Sequence, residues 1–364
     1  MERAEKGRLS ILHGTPGLGN KTLRRIMAEY TTCEPFYRAS RSALQSFLPP
    51  AVADAFIERR RRLDPLTIGS MLDSQGVDII WPGEKRYPFS LRQIPNPPQL
   101  LYCRGRVELI QGQCLAVVGS RKATQYGRKV ARELALKLAG RGLTIVSGLA
   151  RGIDSQAHLG ALEAGGATVS VLGSGINIVY PRENQALYQQ ICSEGLVISE
   201  FPWSTPPLPN HFSMRNRIIS GLSLGVLVVE ARKQSGALIT ADFALEQGRE
   251  VFAVPGPIGS LHSAGTNYLI KQGAKLVTCV DDVLEEFPGW ALAEPAAGLV
   301  QPALPIYEDT ENLVLMHMGF EKCHRDELLR LTGLQPGDLS LILLKLELEG
   351  IVQSLPGNYY VKIG

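Results

Sequence analysis

The sequence has few of the features that disulfide-bonded, metal-binding or membrane-spanning proteins depend on. Its six cysteines are scattered, with no C-x-x-C pair among them, and no signal peptide precedes them, so we expect reduced thiols in a cytoplasmic protein. No metal-ligand spacing is present. No apolar run approaches the roughly 20 residues that a membrane span needs, so we expect no membrane partner.

Two nucleotide-binding motifs are also absent. A G-x-G-x-x-G fingerprint that begins at Gly119 would need glycines at Arg121 and Thr124, and an acidic residue where Gly148 closes the second predicted strand. The P-loop pattern G-x-x-x-x-G-K-[ST] occurs nowhere. The sequence therefore predicts no bound cofactor.

The net charge of +3 conceals a gradient along the chain. Residues 1–62 carry 12 Lys/Arg against 6 Asp/Glu, residues 63–306 carry 21 against 20, and residues 307–364 carry 5 against 9. The basic beginning is the part suited to polyanions. At 364 residues with 45% apolar residues, we expect two or three domains.

The most informative stretch runs from Cys114 to Ala164. An apolar run over 115–118 ends in a glycine turn and is followed by an amphipathic helix, and the same order begins again at 143–146. This alternation predicts a parallel sheet covered by helices, which binds ligands beyond the carboxyl ends of its strands. Further strands are predicted near 167–172, 196–199, 225–229, 250–254 and 275–278.

The flanking segments are predicted to be helical. Residues 15–20 form a Pro-Gly-x-Gly hairpin before a basic helix. This resembles a helix-hairpin-helix element, whose amides can hold a DNA phosphate; an ordinary helical turn is the alternative. Residues 82–105 are predicted to be a proline-rich, loosely structured connector. Beyond residue 307, three helices and a hairpin predict a winged helix, whose third helix has Lys345 as its only base and suits protein contact better than DNA reading.

Basic side chains recur where successive predicted strands end. Because the carboxyl ends of parallel strands share one edge of a sheet, we expect these side chains to form one anion-binding pocket. Scattered surface bases are the alternative. The basic residues at this edge are Arg121, Arg151, Arg182, Arg215 or Arg217, Arg232 and Lys271.

Arg121 is expected at the centre of this pocket. It follows the first strand in a turn whose Gly119 permits close approach of a ligand. The amides at the start of the next helix are expected to face the same phosphate. In the alternative interpretation, Arg121 braces the turn by pairing with a carboxylate such as Glu200.

A second part of the pocket is predicted on the helix near 212–222. Phe212, Arg215 and Asn216 share one face of this helix, whereas Arg217 points elsewhere. An aromatic ring beside an arginine and an asparagine suits a stacked base next to its phosphate; core packing of the ring is the alternative.

Two glutamates, Glu200 and Glu230, each close a strand and could be imagined as an acid/base pair. No Ser/His/Asp array accompanies them. We therefore expect them to anchor loop amides or a supporting arginine such as Arg217.

Seven motifs occur in an order that resembles the DNA-processing protein A (DprA/Smf) family. The motifs are V-G-S-R (118–121), S-G-L-A-R-G-I-D (147–154), L-G-S-G with Y-P-x-E-N (172–184), R-N-R-I-I-S-G-L (215–222), S-G-A-L-I-T (235–240), V-P-G (254–256) and G-T-N-x-L-I-x-x-G-A (265–274). The resemblance implies an α/β fold, with a Rossmann-like parallel-sheet domain over 81–288. A small SAM/helix-hairpin-helix-like helical domain (1–80) would precede it, and a Pro/Ala-rich linker (289–306) and a winged-helix domain (307–364) would follow.

The resemblance also implies a function. Family members bind single-stranded DNA in natural transformation, protect incoming strands and load the RecA recombinase without catalysis, as homodimers through the Rossmann-like domain. One departure is Pro209, where some members carry a lysine; it shifts phosphate contact onto Arg182 and Arg215. The implied DNA-binding residues are Gly119, Ser120, Arg121, Gly148, Arg151, Gly152, Arg182, Phe212, Arg215, Asn216, Arg217, Ser235, Gly236 and Lys271.

Two other functions remain open. Residues 235–240 are similar to the P-G-G-x-G-T turn of nucleoside-monophosphate phosphoribohydrolases, in which Glu230 or Glu246 would assist cleavage of an N-glycosidic bond. The second glycine of that turn is missing here, which argues against this function. A scaffold that works mainly through the acidic tail domain is the third possibility.

Overall fold

A computed structural model describes residues 1–287, 309–318, 322–348 and 350–362. The chain divides into two compact units, Met1–Ala297 and Gly298–Gly364. The linker predicted over residues 289–306 lies outside the described residues. Of the helices in the described ranges, none combines the length and the apolar character that a membrane crossing requires.

Six helices open the first unit, and their apolar side chains pack in a core that they share with one face of the sheet. Leu12, Leu23, Phe36 and Phe56 are fully buried there. Local signals fix the helix starts: Asp64, for example, accepts a hydrogen bond from the Thr67 amide at 2.8 Å. The helices are α1 (Arg3–His13), α2 (Asn20–Glu29), α3 (Cys33–Arg38), α4 (Arg41–Leu44), α5 (Pro50–Arg62) and α6 (Pro65–Ser74).

Nine strands of the first unit form one sheet, in the order β1-β2-β6-β5-β4-β3-β7-β8-β9. The seven strands from β6 to β9 in this order run parallel, as predicted, whereas β2 is antiparallel to both β6 and β1. The strands are β1 (Val77–Ile80), β2 (Leu101–Gly105), β3 (Cys114–Val118), β4 (Thr144–Ser147), β5 (Thr168–Leu172), β6 (Leu196–Ser199), β7 (Gly225–Val228), β8 (Glu250–Ala253) and β9 (Lys275–Leu276).

The connector over 82–105 is more ordered than predicted. It contains the short helix α7 (Phe89–Arg92) and strand β2. Its prolines precede β2 and so remove no donor from the ladder, while Leu101, Tyr102 and Cys103 are buried between β1 and β6. Proline content alone therefore underestimated the order of this segment.

Helices cover both faces of the sheet, because strand residues alternate between the faces. On β3, Leu115 and Val117 belong to the core beneath α8 and α9, whereas Ala116 and Val118 belong to the core beneath α11 and α12. The covering helices are α8 (Gln125–Gly140), α9 (Ile153–Glu163), α10 (Gln185–Glu194), α11 (Pro209–Leu222), α12 (Gly236–Glu246), α13 (Ala264–Lys271) and α14 (Asp281–Leu284).

The strand order reverses beside β3. From β3 the chain adds β4, β5 and β6 on one side and then returns to add β7, β8 and β9 on the other. In open α/β sheets the crevice beyond the carboxyl ends of strands at such a switch point is where ligands bind. The topology therefore points to the turns that follow β3 and β7.

The second unit is a winged helix, as predicted. Its core contains Val314, Leu328, Leu343 and Val352, and its sheet has the order β10-β12-β11. The elements are α15 (Asp309–His317), β10 (Cys323–His324), α16 (Arg325–Thr332), α17 (Pro336–Leu348), β11 (Val352–Leu355) and β12 (Tyr359–Lys362).

Candidate functional site

A cavity of about 530 Å³ opens at the switch point, beyond β3 and β7. Its wall is built from the turns after β3, β4 and β7 and from the first turns of α11 and α12. Nine of the residues predicted from the sequence line it: Gly119, Ser120, Arg121, Phe212, Arg215, Asn216, Arg232, Ser235 and Gly236.

The prediction for the helix α11 is confirmed. Phe212, Arg215 and Asn216 face the cavity together with Ile219, whereas Arg217 does not. The Asn216 side chain donates a hydrogen bond to the Gly236 carbonyl at 3.2 Å, which joins α11 to the first turn of α12. One helical face thus supplies an aromatic ring, a guanidinium and an amide to the same space.

Arg121 and two aromatic rings form one side of the cavity. The Arg121 guanidinium carbon lies 5.0 Å from the centre of the Phe212 ring, within cation–π range. The Phe212 and Tyr180 rings are 5.4 Å apart between centres and tilted by 38°. Arg121 is exposed and makes no ion pair or hydrogen bond within the described part of the chain, so its N–H groups are available to an anion.

Arg215 lies at the base of the cavity and is buried. Its Nη1 donates to the Val171 carbonyl, and its guanidinium occupies the space above Gly148, where an added Cβ would lie 1.9 Å from Nη1. Burial lowers the pKa of Arg215 to about 10, with Asp154 opposing the shift and Arg121 adding to it. Arg215 is therefore a buried cation that contributes positive potential to the cavity.

Asp154 is the buried carboxyl group in the same wall. Burial raises its pKa, and the nearby Arg215 opposes that shift. Its Oδ2 accepts a hydrogen bond from the Gly148 amide at 3.2 Å. The Gly148 amide was expected to face a phosphate, but it is already bonded to a side chain of the protein.

Amides in the turn after β3 are also bonded to side chains of the protein. Glu230 accepts hydrogen bonds from the Thr124 amide at 2.9 Å and from the Thr124 hydroxyl, and the Gly127 amide donates to the Thr124 hydroxyl. The Thr124 and Gly127 amides are therefore bonded within the protein, and for these two the expectation that amides at the start of α8 face a phosphate is wrong. The prediction that Glu230 anchors loop amides is confirmed.

Two predicted arginines are engaged in ion pairs outside the cavity wall. Arg151 is exposed and paired with Glu183, with Nε–Oε1 at 2.6 Å. Arg217 is buried and paired with Glu200, as expected from the sequence. The pairing of Arg121 with Glu200 is not observed, because the Glu200 carboxylate binds Arg217 instead.

Four more predicted residues lie outside the lining. Arg182 is exposed on a single 3₁₀ turn, and Lys271 is exposed at the end of α13. Gly148 and Gly152 sit behind the wall: Gly152 has a φ of +78°, and a Cβ there would lie 2.3 Å from the Ser120 carbonyl oxygen. These two glycines let the turns after β3 and β4 pack closely and hold the cavity in shape.

Three ionisable lining residues received no role from the sequence. Lys122 is exposed beside Arg121, Tyr180 stands next to Phe212, and Asp154 lies beneath them. All three fall in or beside the ordered motifs, and that position was the only available signal. The described residues contain no group of acidic, His and Cys side chains that could hold a metal ion.

Comparison with known proteins identifies the family. A model described as "DNA recombination-mediator protein A" matches residues 78–288, and a model described as "DprA winged helix domain" matches residues 295–358. The chain belongs to the DprA/Smf family. The resemblance inferred from the motif order is thereby confirmed.

Relatives in this family cover most of the chain. Protein Smf of Escherichia coli K12 is 43% identical over 282 residues, which are 75% of this chain and 74% of that protein. DNA processing protein DprA of Bacillus subtilis 168 is 45% identical over 215 residues, 59% of this chain and 72% of that protein.

Two solved structures are similar. DprA of Streptococcus pneumoniae superposes with a TM-score of 0.68 at 36% identity and covers 79% of this chain and 98% of that chain. DprA of Helicobacter pylori superposes with a TM-score of 0.53 at 29% identity, covering 58% and 94%, and is described by its single-stranded DNA binding mode.

Proposed function

We propose that this chain binds single-stranded DNA in the cavity beyond β3 and β7, as a non-catalytic cytoplasmic protein of natural transformation. The observation that carries the proposal is the Arg121–Phe212–Tyr180 arrangement, in which an exposed guanidinium with free N–H groups stands beside two aromatic rings. A phosphate can bind the guanidinium while the neighbouring base contacts a ring. The single-stranded DNA binding mode described for the Helicobacter pylori relative supports it.

The phosphate contacts are assigned to side chains rather than to turn amides. Arg121, Lys122 and Arg232 are exposed at the cavity, whereas Asp154 and Glu230 occupy the amides of Gly148 and Thr124. Three exposed cations at one cavity can contact successive phosphates of a strand, whereas a mononucleotide would leave most of them without a phosphate. This arrangement favours a polyanion over a mononucleotide.

The same bonds disfavour the phosphoribohydrolase alternative. Both oxygens of Glu230 are bonded to Thr124, so neither is free to assist bond cleavage. Glu246 is exposed at the end of α12 and does not line the cavity. We therefore propose binding without catalysis.

A homodimer and RecA loading belong to the same proposal. Leu238, Ile239, Tyr268 and Leu269 line a second groove, of about 430 Å³, on α12 and α13. Ile239 and Tyr268 are 38% and 51% exposed, and Ser235 lines both the groove and the cavity. Pairing of two copies through this face would bring two cavities close together on one strand, which RecA could then receive.

We also propose the domain limits expected from the sequence, 1–80, 81–288 and 307–364. The division of the chain near residue 297 and the winged-helix match to residues 295–358 support a separate final domain.

The test of the proposed function is a competition experiment. A labelled single-stranded oligonucleotide is bound to the full chain and displaced by unlabelled single strand, duplex or mononucleotide. We expect the single strand to compete best and the affinity to fall with salt, with a slope of about −0.7 per phosphate contact. Equal competition by duplex, or a flat salt titration, would overturn the proposal.

A further inference from the structure

The loop after β6 contacts the side of α11 that faces away from the cavity. Glu200, the first residue of that loop, is 4% exposed, and its Oε1 accepts a hydrogen bond from Nη2 of Arg217, which is 6% exposed. Arg217 follows Asn216 directly and is two residues from Arg215. The ion pair therefore fixes the side of α11 that faces away from the cavity.

A ring contact from the same loop fixes the start of α11. Phe201 stacks on His211 with 4.1 Å between ring centres and 22° between ring planes. His211 immediately precedes Phe212. Together the ion pair and the stacked rings hold α11 at two points about 1.7 turns apart, and both set the direction in which the cavity face points.

A third group reaches Glu200 from the N-terminal helices. Asn20, the first residue of α2, donates from Nδ2 to the same Oε1 at 2.6 Å, across 180 residues of sequence. Glu200 Oε2 and Arg217 Nη1 are buried and have no hydrogen-bond partner among the residues described. The orientation of the carboxylate therefore depends on the two bonds that meet at Oε1.

We propose that Glu200 is a positioning residue for the cavity face of α11, and that Asn20 fixes the orientation of the Glu200 carboxylate. The N-terminal hairpin would thus change the affinity for DNA without contacting DNA. The inference rests on the proposed function. A small rotation of α11 would move Phe212 away from Arg121, because the two come from different elements and are joined only by their side-chain contact. Asn20 is turned towards the sheet, so this hairpin residue acts on the protein itself.

The experiment uses a graded series at Asn20 in the full chain. Asn20→Gln keeps the donor amide, Asn20→Ala removes it, and Asn20→Asp places a carboxylate against Glu200. We expect affinity for a single strand to fall in that order, with Asn20→Ala about three- to tenfold weaker than the unmodified chain, which is less than the full value of a bond to a charged group because the effect reaches the cavity indirectly. Thr22→Ala lies in the same helical turn and makes no bond to Glu200 in the part of the chain that the structure describes, so it is the matched control and should bind normally.

Two readouts separate positioning from direct contact and from general destabilisation. The salt slope should stay unchanged across the series, because no phosphate contact is lost. A fluorine-labelled Phe212 should report a changed environment in Asn20→Ala and Asn20→Asp at a temperature where melting curves show every variant folded. Equal affinities across the Asn20 series would overturn the inference. So would a reduced salt slope, because it would indicate that the hairpin touches DNA.

Failure of this inference can be told from failure of the proposed function. Arg121→Ala is measured in the same assay. If Arg121→Ala binds normally, the cavity is not the DNA site. If Arg121→Ala binds weakly while the Asn20 series binds like the unmodified chain, the cavity is the site and only the positioning role is wrong.

Discussion

The guanidinium of Arg121 lies 5.0 Å from the centre of the Phe212 ring. The two residues are 91 positions apart, one in the turn after β3 and the other in the first turn of α11. Their contact joins the cation and the aromatic surface of the cavity into one unit, so that a base and its phosphate can be bound side by side. The predictions below follow from this unit and from the buried groups that support it.

Replacing Phe212 should weaken DNA binding without changing its salt dependence. Base–aromatic stacking contributes about 1–3 kcal/mol per base, so Phe212→Leu should lose roughly five- to 150-fold in affinity. Phe212→Tyr, which keeps the ring, should bind normally. Fluorescence anisotropy across a salt series measures both quantities.

The control for Phe212 is an exposed ring elsewhere. Phe89 on α7 is 71% exposed and does not line the cavity, so Phe89→Leu should have no effect. If Phe212→Leu binds as well as the unmodified chain, the ring serves only to pack the core.

Gly148→Ala should lower stability. The added Cβ would lie 1.9 Å from Arg215 Nη1, and forcing a methyl group into a packed interior costs about 1–3 kcal/mol. Displacing Arg215 also separates it from the Val171 carbonyl. Gly236→Ala is the matched control, because nothing lies within 4 Å of a Cβ at that position. Urea denaturation of both variants decides the matter: equal free energies of unfolding would contradict the packing described for Arg215.

Stability should fall as the pH is lowered from 6.5 because of His158. Burial lowers its pKa to about 3 from an ordinary value of 6.5, so below pH 6.5 the unfolded chain binds a proton that the folded chain does not. At pH 5 this difference costs up to about 2 kcal/mol in the free energy of unfolding. His158→Gln removes the titrating group and should show a smaller loss between pH 7 and pH 5 in chemical denaturation. A loss equal to that of the unmodified chain would mean that His158 is not held neutral.

Removing the winged helix should leave the affinity for a single strand nearly unchanged. The helix α17 exposes Leu341, Leu344 and Leu348 rather than base-reading side chains, and Lys345 is paired with Glu311. A chain that ends at residue 305 should bind within about threefold of the full chain, because α17 exposes leucines where a recognition helix carries base-reading side chains. A loss as large as that of Arg121→Ala would place DNA contacts in the second unit.

The sequence predicted the elements of the sheet well, because their signals are local. Runs such as Cys114–Val118 are apolar on both faces and are bounded by glycines, which is typical of buried parallel strands. Strands β1 and β2 were missed because they join the sheet by pairing with each other and, through β2, with β6, which lies far along the chain. The helical wheel placed Phe212 and Arg215 correctly, since that relation is also local.

The partners of charged groups could not be predicted in the same way. The strand-turn-helix pattern predicted that the amides at the start of α8 face a ligand, but Glu230, 106 residues beyond Thr124, occupies the Thr124 amide. Arg151 looked equivalent to Arg121 in sequence, yet Glu183 lies opposite it. Which arginine remains free depends on the carboxylates that the fold brings near, and that is tertiary information.

The most direct measurement is the comparison of binding and stability on one preparation of Arg121→Ala. Arg121 is exposed and makes no ion pair within the described ranges, so its loss should leave the melting temperature unchanged. Loss of a charge-assisted hydrogen bond of about 1.5–3 kcal/mol should weaken single-strand affinity roughly ten- to hundredfold. Arg121→Lys should recover only part of it, and Arg128→Ala, an exposed arginine on α8 away from the cavity, should bind normally. Normal DNA binding by Arg121→Ala together with a lowered melting temperature would contradict the account, because Arg121 would then brace the turn rather than bind the strand.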